Sequence, residues 1–342
     1  MRVGLLYDMA NPPGSGRSFA DLYAHELDQI ERADAWGVGG VWFTEHHFTG
    51  DYTANPLIWM AAAAARTRRA ALGTGVLLPA LYDPVRLAEE IATLDQISNG
   101  RVEVGVGLGW ALEEFRVFGV DPAKRVAVVR EALDILRLAW TEDVFDYRGR
   151  HFDLQTVRVR PKPVQTPHPP IWGGASTPDG ARRVARWRLP LLWVEPEVSQ
   201  AYMDAWRDAG FPVGEARVDG YINLFVCDDP DAAWPEIRHN FLYQALRPDI
   251  MSKRAGPGGS AVDRAALGLD DIEARRRSGD ILVVTPGQAV DAVRRRAAGQ
   301  PVDGFFCHNR ICGMSDELSD RHVELLVREV APALAAPGGA AG

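Results

Sequence analysis

The sequence predicts an α/β fold, a (β/α)8 TIM barrel with insertions. Two observations carry it. Short apolar runs alternate with amphipathic stretches eight times along 342 residues. The runs are also apolar throughout rather than at every second position, as strands buried on both faces of a parallel sheet must be.

The expected strands are residues 3–7, 40–43, 71–78, 102–106, 170–172, 189–194, 221–226 and 304–307. The expected helices are 19–36, 57–66, 84–97, 123–140, 178–187 and 197–209, a stretch after Pro230, 286–298 and a last helix over about 315–334. Asp83-Pro84, Asp121-Pro122 and Ser176-Thr177-Pro178 each set a capping side chain before a proline in a first helical turn. The barrel is read as one domain over 1–334, with insertions at about 141–169 and 239–280 and a flexible tail at 335–342. Five alanines at 61–65 suit either close approach of another helix, as at a subunit interface, or simply high helix propensity.

Composition narrows the function classes. Hydrophobic residues make up 46% and charged residues 25%, as in a globular protein. A net charge of -8 argues against a nucleic-acid partner. No apolar run is long enough to span a membrane. The chain enters a strand at once, without the regions of a signal peptide, and Cys227, Cys307 and Cys312 show no CxxC spacing. These features suggest a cytoplasmic, reducing location, with no disulfide framework and no metal site.

A barrel puts its chemistry at the C-terminal ends of its strands. Glu45-His46-His47 follows the second strand. Alternation sets Trp42, Thr44 and His46 on one face and Phe43, Glu45 and His47 on the other, so the adjacent histidines diverge and do not share one metal. His46 either enters the barrel mouth as a hydrogen-bonding or proton-transfer group, or merely satisfies the loop. Gly105-Val106-Gly107-Leu108-Gly109-Trp110 follows the fourth strand. Its glycines either admit a bulky ligand or serve a bulge; it is not the dinucleotide fingerprint, because Trp110 stands at the third glycine. Gly73-Thr74-Gly75-Val76 offers the same choice in the third strand. Gly173-Gly174-Ala175-Ser176-Thr177 precedes a helix and suits a phosphate, or plain capping by Ser176 or Thr177. Trp110, Trp172, Trp193, Tyr7 and Tyr82 could wall a pocket or fill the core.

Taken together these blocks resemble the bacterial luciferase-like flavin-dependent monooxygenase family. Glu45-His46-His47-Phe48 with Asn55-Pro56 is similar to its pattern. So are Leu72-Gly73-Thr74-Gly75, Leu94-Asp95-Gln96-Ile97-Ser98-Asn99-Gly100-Arg101, Glu114-Phe115-Arg116-Val117-Phe118-Gly119 and Pro169-Pro170-Ile171-Trp172-Gly173-Gly174. The resemblance spans most of residues 1–195.

The resemblance implies a homodimeric barrel that takes reduced FMN from a separate flavin reductase. With O2 it would form a flavin hydroperoxide and oxygenate a small-molecule organic substrate. By the family's pattern His46 is catalytic, near the flavin ring. Thr74, Gly75 and Val76 lie under the ring, with a cis peptide nearby. Gly107 and Trp110 border it, and Gly173, Gly174, Ser176 and Thr177 hold the phosphate. Lids would be 141–169 and the loop 255–260.

Two departures separate this chain from luciferase itself. Gly107 and Leu108 stand where luciferases have Cys and a phosphate-binding Arg. Arg125 could substitute for that Arg, unless it pairs with Glu131. The Gly-x-Gly-Trp turn also resembles the deazaflavin-dependent branch, which transfers hydride without O2, while Glu45-His46-His47 favours FMN. A non-catalytic flavin-binding homologue is the third alternative.

Overall fold

The computed structural model describes residues 1–49, 52, 54–247 and 267–336. The expected loop at 255–260 and all but the start of the expected tail lie outside them. Eight parallel strands form one sheet in the order β12-β1-β2-β3-β4-β7-β8-β9. They are β1 (Arg2–Tyr7), β2 (Gly40–Phe43), β3 (Ala71–Thr74), β4 (Val102–Val106), β7 (Ile171–Gly173), β8 (Leu191–Leu192), β9 (Val218–Asp219) and β12 (Gly304–His308). Backbone hydrogen bonds close the ring: Phe306 N donates to Gly220 O and Ile222 N to Phe306 O, each at 2.9 Å.

Helices surround the ring. Among them are α1 (Phe19–Trp36), α2 (Pro56–Arg66), α3 (Pro84–Ser98), α4 (Leu112–Val117), α5 (Arg125–Thr141), α6 (Pro178–Arg186) and α7 (Pro196–Asp208). Their starts follow the sequence signals: the Asp83 carboxylate accepts from Val85 N and Arg86 N, and the Thr177 hydroxyl from Gly180 N. The expected helix 123–140 is α5, and a short helix that was not expected, α4, precedes it across a turn at Gly119.

Three expectations are corrected. The seventh barrel strand is Val218–Asp219, not 221–226. Residues Leu224–Val226 (β10) instead pair with Leu282–Val284 (β11) in a separate two-stranded parallel sheet. With α8 (Pro230–Leu246) and α9 (Leu269–Ser278) this sheet encloses a second core of Phe225, Trp234, Ile237, Phe241, Ile272 and Val283. The unit leaves the barrel at the C-terminal end of β9 and packs on Ile311 and Met314, just past β12. It therefore stands beside the barrel mouth and is larger than the expected insertion at 239–280.

The third correction concerns 141–169, expected as a lid. It holds an antiparallel hairpin, β5 (Phe145–Arg148) with β6 (Asp153–Val157). It runs from the end of α5 to the start of β7, which lies at the face opposite the mouth. Val164 N and Gln165 N donate to Asp95 Oδ2 at 2.8 and 3.0 Å, and Gln165 Nε2 to Val102 O at 2.8 Å. These contacts tie it to the entry of β4, so it cannot cover the mouth.

Inside the ring every second side chain points to the axis, in three layers. Arg2, Glu103 and Asp219 plug the lower end, Arg2 Nη2 lying 2.9 Å from Asp219 Oδ2. Leu6, Trp42, Trp172, Leu192 and Phe306 fill the middle, with Val76 and Tyr221 as its partly buried upper members. Two positions past the inward residues Leu6, Trp42, Gly73, Trp172 and Phe306 come the residues of the mouth, Asp8, Thr44, Gly75, Gly174 and His308, with Tyr221 of the middle layer reaching up to His308.

Candidate active site

The exit of β2 divides as alternation requires. Trp42 lies in the ring interior and Phe43 in the layer between strands and helices. Glu45, 2% exposed, turns outward and knots the loop together. Its carboxylate accepts from Leu78 N at 2.8 Å and from the Tyr82 hydroxyl at 3.0 Å, and meets His47 Nε2 at 2.9 Å. His47 N in turn donates to Glu114 Oε1 at 2.9 Å. Glu45, His47 and Glu114 therefore lock the exits of β2, β3 and β4 to one another. His46 is left on the mouth side, its ring edge-on to Tyr52 with centroids 5.0 Å apart and 6.1 Å from that of Trp110.

The peptide Gly75–Val76 is cis, and both residues are half-buried at the top of the middle layer. The glycine-rich exits around it are explained chiefly by Val76. A Cβ on Gly107 would stand 2.5 Å from Val76 Cγ2, and one on Gly174 would stand 2.5 Å from Val76 Cγ1. Those two glycines form a slot that grips the Val76 side chain and sets it as an apolar shelf across the mouth.

Other expected site residues are committed elsewhere. The Thr74 hydroxyl donates to Gly105 O at 2.7 Å. Gly73 accommodates the Trp42 ring, which a Cβ there would meet at 2.3 Å. Gly173 faces outward, where a Cβ would meet Val184 of α6 at 2.6 Å. Thr177 caps α6, as the bland alternative held, and Ser176 beside it is exposed. Arg125 does not pair with Glu131: its Nη1 donates to Pro122 O, while Glu131 accepts from the backbone of Arg150, His151 and Phe152.

The sequence reading missed the polar side of the mouth. His308 Nδ1 lies 3.0 Å from the Tyr221 hydroxyl, which donates to Asn223 Oδ1 at 2.9 Å. His308 Nε2 lies 3.5 Å from Asp8 Oδ2. Burial lowers the His308 pKa against an opposing pull from Asp8, and the charge of Arg247 lowers it further. The Arg247 guanidinium, itself buried, sits 3.3 Å from the Tyr52 ring centroid. A polar residue two places past each inward residue of β1, β9 and β12 was the signal available.

At the opposite face a cleft of about 320 Å³ is lined by Arg137, His168, Arg188, Trp206, Glu215 and Arg217. Arg188 pairs with Glu215 and Arg217 with Asp303, so its charges are already matched. No cluster of three metal-ligating side chains and no helix long and apolar enough to cross a membrane occurs among the described residues.

The shelf at Gly75–Val76, the His46, Tyr52 and Trp110 rings and the first turn of α6 are compatible with a flat ring that carries a phosphate tail. Comparisons agree. A family model described as luciferase-like monooxygenase matches residues 1–300. The flavin-dependent trigonelline monooxygenase oxygenase component of Acinetobacter baylyi is 32% identical over 46% of this chain and 44% of its own. An F420-dependent glucose-6-phosphate dehydrogenase of Amycolatopsis mediterranei is 34% identical over 47% and 50%. Limonene 1,2-monooxygenase of Rhodococcus erythropolis is 26% identical over 92% and 82%. The chain spans 47% to 58% of the length of the curated relatives it matches first. Among solved structures, the monooxygenase RslO1 of Streptomyces bottropensis superposes with a TM-score of 0.79 at 27% identity, covering 97% of this chain and 99% of that one. The oxygenating constituent of 3,6-diketocamphane monooxygenase of Pseudomonas putida, in complex with FMN, gives 0.77 at 19% identity over 98% and 99%, a likeness of fold.

Proposed function

The chain belongs to the luciferase-like monooxygenase family, and from that membership and the geometry of its mouth we propose that it is an FMN-dependent monooxygenase acting on a small organic substrate. The observation that carries the proposal is the locked β2 exit. Glu45 and His47 bind one another and the next two strand exits, while His46 turns away from them toward the Tyr52 and Trp110 rings. Reduced FMN, when bound, would supply the electrons that activate O2.

The chain's own residues would do the rest. Val76, held by Gly107 and Gly174, supports one face of the ring. His46 donates a hydrogen bond at the reacting edge, and Trp110 and Tyr52 exclude water beside it. Ser176, Thr177 and the free N–H groups at the start of α6 receive the phosphate, since Leu108 offers no charge. A separate flavin reductase would deliver the reduced cofactor, in keeping with the trigonelline relative being an oxygenase component.

The second reading, a deazaflavin-dependent oxidoreductase, is favoured by the F420-dependent relative. An anaerobic titration with reduced FMN and with reduced deazaflavin, followed by O2, separates the two. The proposal expects tight binding of reduced FMN, weak binding of oxidised FMN, and O2 uptake coupled to product. Binding of deazaflavin alone, with hydride transfer in the absence of O2, would select the second reading. Binding of flavin with no O2 uptake across a broad substrate screen would select a non-catalytic homologue.

A further inference from the structure

The floor of the mouth is divided by chemistry. Gly75, Val76, Gly107 and Gly174 make one half bare and apolar, whereas Asp8, Thr44, Tyr221 and His308 make the other half polar. Hydrogen bonding in the polar half is unbalanced. Because the Tyr221 phenol donates to Asn223, its oxygen accepts from His308 Nδ1. A neutral His308 then turns an acceptor, Nε2, toward Asp8 Oδ2 at 3.5 Å. Burial favours the neutral imidazole over the charged one. Asp8 is 3% exposed and Thr44 6%, and neither Asp8 Oδ2 nor Thr44 Oγ1 has a hydrogen-bond partner among the described residues. The two stand on neighbouring strands, joined where Thr44 N donates to Tyr7 O at 3.2 Å. Two facing acceptors and a hydroxyl, all buried, lack one donor.

We propose that this half of the mouth is a subsite for the hydroxyl group of a small organic ligand. The ligand's proton is donated into the gap between Asp8 Oδ2 and His308 Nε2, and its oxygen accepts from the Thr44 hydroxyl. The apolar remainder of the ligand extends over the Val76 half. No bond is made or broken in this step. The inference rests on the reading of the mouth as the reaction site and deepens it: the substrate is a hydroxylated compound.

Phenol and anisole probe the subsite, since the second replaces the donated proton by a methyl group on the same ring. Binding of each to the purified flavin-free protein is measured by ligand-observed NMR, alongside Thr44→Val and Asp8→Asn. The subsite predicts that phenol binds at least about tenfold more tightly than anisole. It predicts that Asp8→Asn, which removes the charged acceptor of the ligand's proton, cuts that preference at least about threefold with anisole unchanged, and that Thr44→Val, nearly isosteric and safe for folding, weakens phenol binding at least about threefold. Equal affinities in the unsubstituted protein, a preference that survives Asp8→Asn, or phenol binding that survives Thr44→Val, would overturn it. A parallel titration with reduced FMN separates the two levels. FMN binding without a phenol preference refutes the subsite alone. A phenol preference without FMN binding supports the subsite and refutes the cofactor reading.

Discussion

Replacing Gly174 by alanine isolates what holds the floor of the mouth. The new methyl would stand 2.5 Å from Val76 Cγ1 and 3.3 Å from Val106 O. Carbon atoms in contact sit about 3.5–4.0 Å apart, so Val76 must retreat by about 1 Å. Overpacking of this kind costs about 1–3 kcal/mol. Truncating Val76 to alanine removes the offending atom and leaves its Cβ at 3.6 Å, an ordinary contact, with only the milder approach to Val106 O at 3.3 Å remaining. Val76→Ala alone should cost about 1 kcal/mol, because the side chain is only partly buried. The double variant Val76→Ala/Gly174→Ala should then be little less stable than Val76→Ala. The coupling between the two sites is expected at about 1–2 kcal/mol in the stabilising sense, well beyond the scatter of independent sites. Urea unfolding of the four proteins measures it. Additive losses, within about 0.5 kcal/mol, would refute the slot. Reduced FMN should bind Gly174→Ala more weakly than the original protein, because the shelf has moved.

Three further outcomes are expected. Glu45→Gln leaves Leu78 N–H facing an amide in a buried site and should lower stability by about 1–3 kcal/mol, read as a fall in Tm. The His322 imidazole is pushed down to about 4 by burial, so as pH falls below 6.5 the unfolded chain takes a proton that the folded one refuses. Stability should therefore drop from pH 6.5 toward 4, by about 3 kcal/mol for this group, and His322→Gln should flatten that limb in acid-unfolding experiments. Ser176→Ala/Thr177→Ala should cost about 1 kcal/mol of stability through the lost cap, and should also abolish any preference for FMN over riboflavin in a binding assay. A retained preference would remove the Ser176 and Thr177 hydroxyls from the phosphate site.

Legibility followed the range of the interactions. The first four strands are largely apolar runs of four to six residues, interrupted only by Arg2, Thr74 and Glu103, and their local pattern is enough; only β3 ends early, at Thr74. The barrel strands β8 and β9 have two residues each, too short for any period to register, so the longer apolar run at 221–226 was mistaken for the seventh strand. Its true partner at Leu282–Val284 lies across an insertion that no local signal spans. Alternation correctly split His46 from Glu45 and His47, because the geometry of a strand is local. The sequence leaves the glycines as room for a ligand or as a bulge or tight packing, and at Gly107 and Gly174 the occupant is Val76, a neighbour in space and not in sequence. The same holds for Asp8, Tyr221 and His308, which meet only when the first and last strands close the ring.

Hydrogen–deuterium exchange with and without reduced FMN under anaerobic conditions tests the central claim, that the mouth at the C-terminal ends of the strands is where the cofactor binds. Protection is expected at 44–49, 74–78, 105–111 and 173–180. Protection confined to the opposite cleft, around His168, Arg188 and Arg217, or none at all, would contradict it.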